Sequence, residues 1–150
     1  MGDRAAVIDT VNRYATALDS RDWALLDEVF TPDAVGDFGA GSLVGRDALR
    51  DLMRRTVGRG GPSQHLLGNH RVEIDGDAAR CVCQVRAFQT GTGPAAGRSY
   101  ELLGEYRDQL VRTPDGWRIA RRVMKIHHEI GSRDVLKSQS APADPSHARS

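Results

Sequence analysis

An α+β domain, with helices laid over a strongly curved and mostly antiparallel sheet, is the fold this chain predicts, and three observations point to it. Apolar residues keep helical spacing in three stretches, Val7–Leu18, Trp23–Phe30 and Leu49–Val57, four long extended segments run from His65 to Ile130, and turn-forming residues separate them. Helices come first and strands follow, so three N-terminal helices cover one face of a meander. A bent sheet closed by helices makes a cone, and the mouth of a cone is a natural ligand cavity.

Val7, Ile8, Val11, Tyr14, Ala15 and Leu18 recur at three-and-four spacing, which predicts a first helix with one buried stripe ending near Asp19. A short second helix fits Trp23 to Phe30 and stops at Thr31-Pro32, because the residue before proline is pushed out of helical geometry. Ala34 to Phe38 reads as extended. Leu49, Leu52, Met53 and Val57 carry a third helix, which Gly58-Arg59-Gly60-Gly61-Pro62 ends. Strands are expected at His65–Val72, Ala79–Thr90, Ser99–Arg112 and Trp117–Ile130, with Asp75-Gly76 and Asp115-Gly116 as tight turns.

A chain of 150 residues fits one domain, taken as residues 1–137, and Ser138–Ser150 lacks any apolar period and reads as a disordered tail. Lys plus Arg number 21 against 20 Asp plus Glu, so the net charge of +1 gives no reason to expect nucleic acid or an anionic membrane as partner. The N-terminal run opens an amphipathic helix rather than a secretory signal, and nothing approaches the roughly 18 apolar residues of a membrane span. Cys81 and Cys83 share one strand face, a spacing that suits neither a zinc half-site nor a redox motif. They read as buried thiols in a reducing cytoplasm.

Asp19 and His65 are the candidate catalytic residues, since a carboxylate and an imidazole are the two parts needed to move a proton at neutral pH. An imidazole that donates one nitrogen to a carboxylate has a fixed tautomer and a more basic free nitrogen. The bland alternatives are a helix cap for Asp19, with Asp22 three residues on, and a half-buried strand histidine for His65. His70, five positions after His65, is expected on the opposite face. His127 and His128 are adjacent on the last strand and point to opposite faces, so they do not chelate one metal together. Arg86 and Arg107 default to a solvated sheet face.

The stretches Leu18-Asp19-Ser20-Arg21-Asp22-Trp23, Phe30-Thr31-Pro32-Asp33-Ala34, Gly45-Arg46-Asp47-Ala48-Leu49, Gln64-His65-Leu66-Leu67-Gly68-Asn69 and Asp115-Gly116-Trp117-Arg118-Ile119 together resemble the SnoaL-like branch of the nuclear transport factor 2-like superfamily. The resemblance spans about residues 5 to 131. Within the superfamily the chain is most similar to scytalone dehydratase and the hexachlorocyclohexane dehydrochlorinases, lyases whose mechanism is attributed to an Asp-His pair. Asp19 and His65 match that pair. The tyrosine that precedes the aspartate in scytalone dehydratase is Leu18 here, and the second tyrosine of that site falls at Phe38. A water held by two phenols is therefore not expected, nor is scytalone as the substrate.

The expected function is a dehydratase-type lyase acting on a small, largely apolar cyclic or polyketide-like carbonyl compound. Polyketide cyclisation or isomerisation by the same base is the first alternative, and a non-catalytic binding or dimerisation module the second. Tyr14, Trp23, Phe38, Phe88, Tyr106 and His127 are the candidate substrate-binding residues. No P-loop, dinucleotide fingerprint, nucleophile elbow or His-Glu-x-x-His motif is present, so no cofactor or metal is expected. The resemblance implies a homodimer or homotrimer, in keeping with an outer sheet face that needs cover.

Overall fold

The computed structural model describes residues 1–137, and the tail expected at 138–150 lies outside the described residues. Helix α1 spans Asp3–Ser20 and buries Val7, Val11, Tyr14 and Leu18, the stripe its spacing demands. Helix α2 spans Arg46–Arg55 and buries Leu49 and Met53. The expected second helix is a 3₁₀ turn at Trp23–Glu28, two residues shorter than its apolar run. Val29 and Phe30 leave it because Phe30 already begins strand β1, Phe30–Asp37, where Pro32 is carried as extended chain.

Strands β2 (Ser42–Val44), β3 (Ser63–Asp75), β4 (Ala78–Thr90), β5 (Ser99–Thr113) and β6 (Gly116–Gly131) complete one sheet in the order β2-β1-β6-β5-β4-β3. All pairings are antiparallel except that of β1 with β6. The short β2 had no signal in the sequence beyond the glycines around it. The cone-shaped α+β expectation holds, with the middle helix tightened to a 3₁₀ turn.

Bulges between Gly68 and Arg71 on β3, and at two places along the β5–β6 pairing, curl the sheet around α1. Gly104 sits at one of them because β6 passes very close: a Cβ there would lie 2.4 Å from the Lys125 carbonyl oxygen. The concave face carries Ala79, Cys81, Cys83, Val85 and Ala87 from β4, all buried, against the helices. Burial pushes the Cys81 and Cys83 thiols up to about 11 and about 12, so both stay protonated and act as small apolar side chains. Among the described residues no helix is long and apolar enough to cross a membrane.

Candidate active site

Asp19 lies in the last turn of α1, and the chain leaves that helix through Arg21, which takes a left-handed conformation with φ of 57°. From that last turn the carboxylate of Asp19 reaches the start of β3. Its Oδ1 accepts from Ser63 Oγ at 2.9 Å and lies 2.7 Å from His65 Nδ1, while Oδ2 accepts from the His65 backbone N–H at 2.7 Å. The Arg21 guanidinium braces the same corner, donating to Ser63 Oγ, the Leu18 carbonyl and the Gly61 carbonyl. Capping falls to Asp22 instead, whose side chain accepts from Leu25 N–H.

Burial works to raise the Asp19 carboxyl, but hydrogen bonds from the His65 ring and backbone and from Ser63 outweigh it and hold the group below the usual carboxylate value. Asp19 is therefore an anion at neutral pH. The His65 side chain is 7% exposed, and its Nε2 has no protein hydrogen-bond partner among the described residues. The ring forms part of the wall of a cavity of about 190 Å³.

Leu18, Phe38, Met53, Val57, Ala87, Leu102 and Met124 make that cavity chiefly apolar, and Leu136, from the 3₁₀ turn after β6, lies over it. Tyr14, Phe38 and Tyr106 line it as expected. The Tyr14 ring stacks on Phe38 with centroids 6.5 Å apart and meets Tyr106 edge-on at 5.7 Å. Burial raises the Tyr14 hydroxyl to about 12 and carries Tyr106 well above its ordinary value, so both phenols keep their protons.

Of the other expected substrate-binding residues, two lie away from the cavity and one is at its edge. Trp23 is not in the cavity wall; its indole packs under Gly58, where a Cβ would come within 2.8 Å of the ring. Phe88 is among the lining residues but is 41% exposed, alternating along β4 with buried Ala87 and Gln89, so it sits at the cavity's edge. His127 falls in the bulge between the Leu103 and Gly104 pairings and is exposed beside Leu66 and Arg86, so it faces outward. His128, also exposed, does not line the cavity either.

His70 departs from its expectation in the opposite sense. The bulge around Asn69, with φ of 55°, resets the alternation and brings His70 to α1, where its Nε2 meets Asn12 Oδ1 at 2.9 Å.

One charged group behind the cavity escaped the sequence reading. Arg122 is fully buried and forms a bidentate pair with Asp108, at 2.7 and 2.8 Å. Its guanidinium carbon lies 4.3 Å from the Tyr14 ring centre and 4.0 Å from that of Tyr106. Burial alone would lower the Arg122 pKa, but the Asp108 carboxylate more than reverses this, so the charge is retained. Alternation from Trp117 and Ile119 points to Arg121 as the inward residue. The bulge at Ala120 moves that place to Arg122, so simple alternation gives no warning of it.

The SnoaL-like domain model matches residues 1–123. The chain belongs to the SnoaL-like family. An uncharacterized protein of Mycobacterium tuberculosis H37Rv is 37% identical to this SnoaL-like chain over 128 residues, 82% of this chain and 84% of the relative. A proposed aromatic ring hydroxylase from Novosphingobium aromaticivorans superposes with a TM-score of 0.81 at 30% identity, covering 90% of this chain and 96% of the other. A proposed scytalone dehydratase from the same organism gives 0.75 at 20% identity, with 93% and 95% covered. Hexachlorocyclohexane dehydrochlorinase LinA-type3 from Novosphingobium barchaimii gives 0.75 at 20%, with 86% and 89% covered. The last two likenesses establish the shared fold.

Two outcomes follow from this geometry. Arg122→Met strands the Asp108 carboxylate in the core and lowers unfolding free energy by about 3–5 kcal/mol. The double variant Arg122→Met with Asp108→Leu recovers much of that loss, and urea unfolding of the three proteins reads the difference. The Asp19 carboxyl is depressed in the folded state, so its contribution is present above its unfolded value and is lost as pH falls through the folded one. The stability advantage of the wild type over Asp19→Asn is therefore full near neutrality and shrinks below about pH 4, as urea midpoints measured against pH will record.

Proposed function

We propose that this SnoaL-like protein is a lyase that needs no cofactor, with His65 as general base and acid and Asp19 as its orienting partner. The observation that carries this reading is the 2.7 Å contact between His65 Nδ1 and Asp19 Oδ1 at the wall of an apolar cavity. With Nδ1–H held on the carboxylate, Nε2 carries the lone pair that the ring offers to a ligand. The favoured reaction is loss of water from a small cyclic β-hydroxy ketone. Nε2 takes the proton next to the carbonyl, leaving an enolate, while Asp19 stabilises the charge that develops on the ring.

The same nitrogen then returns its proton to the departing hydroxyl. Water leaves as the carbon–oxygen bond breaks, and a double bond conjugated with the carbonyl remains. An apolar wall strengthens the carboxylate–imidazole attraction and shields the enolate from bulk water. The elimination chemistry in the names of two relatives of the same fold supports this class. A cavity of about 190 Å³ favours a compact ring over a long flexible polyketide, which ranks dehydration above cyclisation.

The test is a screen of cyclic β-hydroxy ketones for the absorbance of the conjugated product. For any substrate found, His65→Ala is expected to lose about 100-fold or more in kcat, with Asp19→Asn also impaired. Retention of the full rate by His65→Ala contradicts the mechanism. Binding of the ketones without turnover contradicts the enzyme reading in favour of a binding module.

A further inference from the structure

Gln89 is 4% exposed and is among the residues that line the cavity, and its amide has spent only half of its hydrogen-bonding capacity. Its Nε2 donates to the Gly61 carbonyl at 3.0 Å and to the Thr90 carbonyl at 3.1 Å, which uses both hydrogens. Its Oε1 is buried and has no hydrogen-bond partner among the described residues. The reversed amide is not an option, because it would set Oε1 against two carbonyl oxygens and lose both bonds. The position is also built for this side chain: a Cβ at Gly60 would stand 1.9 Å from Nε2, so only glycine there leaves the amide its place. Leaving a buried acceptor unfilled is costly, which calls for something that fills it.

Gln89 stands next to the candidate dyad. It pairs with Ser63 across β3–β4, while His65 pairs with Ala87 two residues along, so Gln89 and His65 are diagonal neighbours on the concave face. The Gly61 carbonyl that Gln89 holds is the one that Arg21 also holds, which ties the amide to the brace behind Asp19. On the other side Gln89 pairs with Tyr100, another residue of the cavity wall. The Tyr100 hydroxyl gives its hydrogen to Glu129, itself held by Arg133, and the carboxylate helps to raise that phenol to about 12, after burial. Gln89 and Tyr100 thus offer lone pairs and no hydrogens.

We infer that Gln89 Oε1 is a specificity-determining acceptor that receives a hydrogen bond from a hydroxyl or N–H group on the substrate, beside the reacting carbon. The inference rests on the reading of this cavity as the substrate site, and it narrows the substrate class to hydroxylated or amino-bearing rings. A carbonyl or ether oxygen at the same place would meet only other acceptors and would be rejected.

The test compares 2-naphthol with 2-methylnaphthalene, flat probes of nearly equal size of which only the first carries a donor. Dissociation constants are measured for the wild type and for Gln89→Leu. The substitution is expected to weaken 2-naphthol by about tenfold and to change 2-methylnaphthalene by less than about twofold. Equal effects on the two probes, or none on either, overturn the role of Gln89 while leaving the His65 mechanism to its own assay. Failure of both probes to bind the wild type overturns the cavity as a site for such rings, and this inference with it.

A second measurement does not depend on how the variant folds. In ¹⁵N-labelled wild-type protein, the Gln89 side-chain amide resonances are expected to move on addition of 2-naphthol and to move much less with 2-methylnaphthalene. Equal responses to both probes contradict the hydrogen bond.

Discussion

The carboxylate of Asp19 joins the helical layer to the sheet, and the geometry of the candidate site depends on that junction. Both oxygens are committed to the first residues of β3, one to the His65 backbone and the other to Ser63 and the imidazole. An exposed ion pair of this kind would contribute little, but here the ring is 7% exposed and the backbone bond fixes the strand as well as the side chain. Helix α1 itself directs the carboxylate, the left-handed turn at Arg21 ends that helix, and the Arg21 side chain ties the turn to Ser63 and Gly61. Helix exit, strand start and glycine loop form one hydrogen-bonded corner.

Behind the opposite wall, Arg122 and Asp108 make a second polar centre in an otherwise apolar core. The pair is nearly neutral in sum, yet its positive end is stacked between two phenol rings that line the cavity. Burying two charges is costly, and good geometry together with the aromatic faces offsets that cost only in part. Arg122 Nη1 is itself buried without a hydrogen-bond partner among the described residues, so the arrangement is not the cheapest way to fill this space. The cavity is thereby set between an imidazole supported by a carboxylate and an aromatic wall backed by a cation.

Much of this was legible in the chain. The helical stripe of α1, the four long strands and the two catalytic candidates stand in the sequence because each rests on local periodicity or on a short motif. What was not legible turns on bulges. Alternation along β3 and β6 predicts the wrong face for His70 and favours Arg121 over Arg122, since one inserted residue flips every side chain beyond it. Trp23 failed for another reason: an aromatic beside the candidate aspartate is close in sequence, but the 3₁₀ turn carries it away to Gly58. Gln89 could not be singled out at all, because its meaning lies in which of its atoms remain unsatisfied.

The tautomer of His65, which ¹⁵N NMR of the imidazole reads in the neutral ring, tests the Asp19–His65 pair most directly. A protonated Nδ1 on Asp19 and a bare, pyridine-type Nε2 are expected, with that preference weakened in Asp19→Asn. A neutral ring protonated at Nε2, unchanged by the substitution, would mean that Asp19 does not orient the imidazole, and the proposed base would have no lone pair to offer.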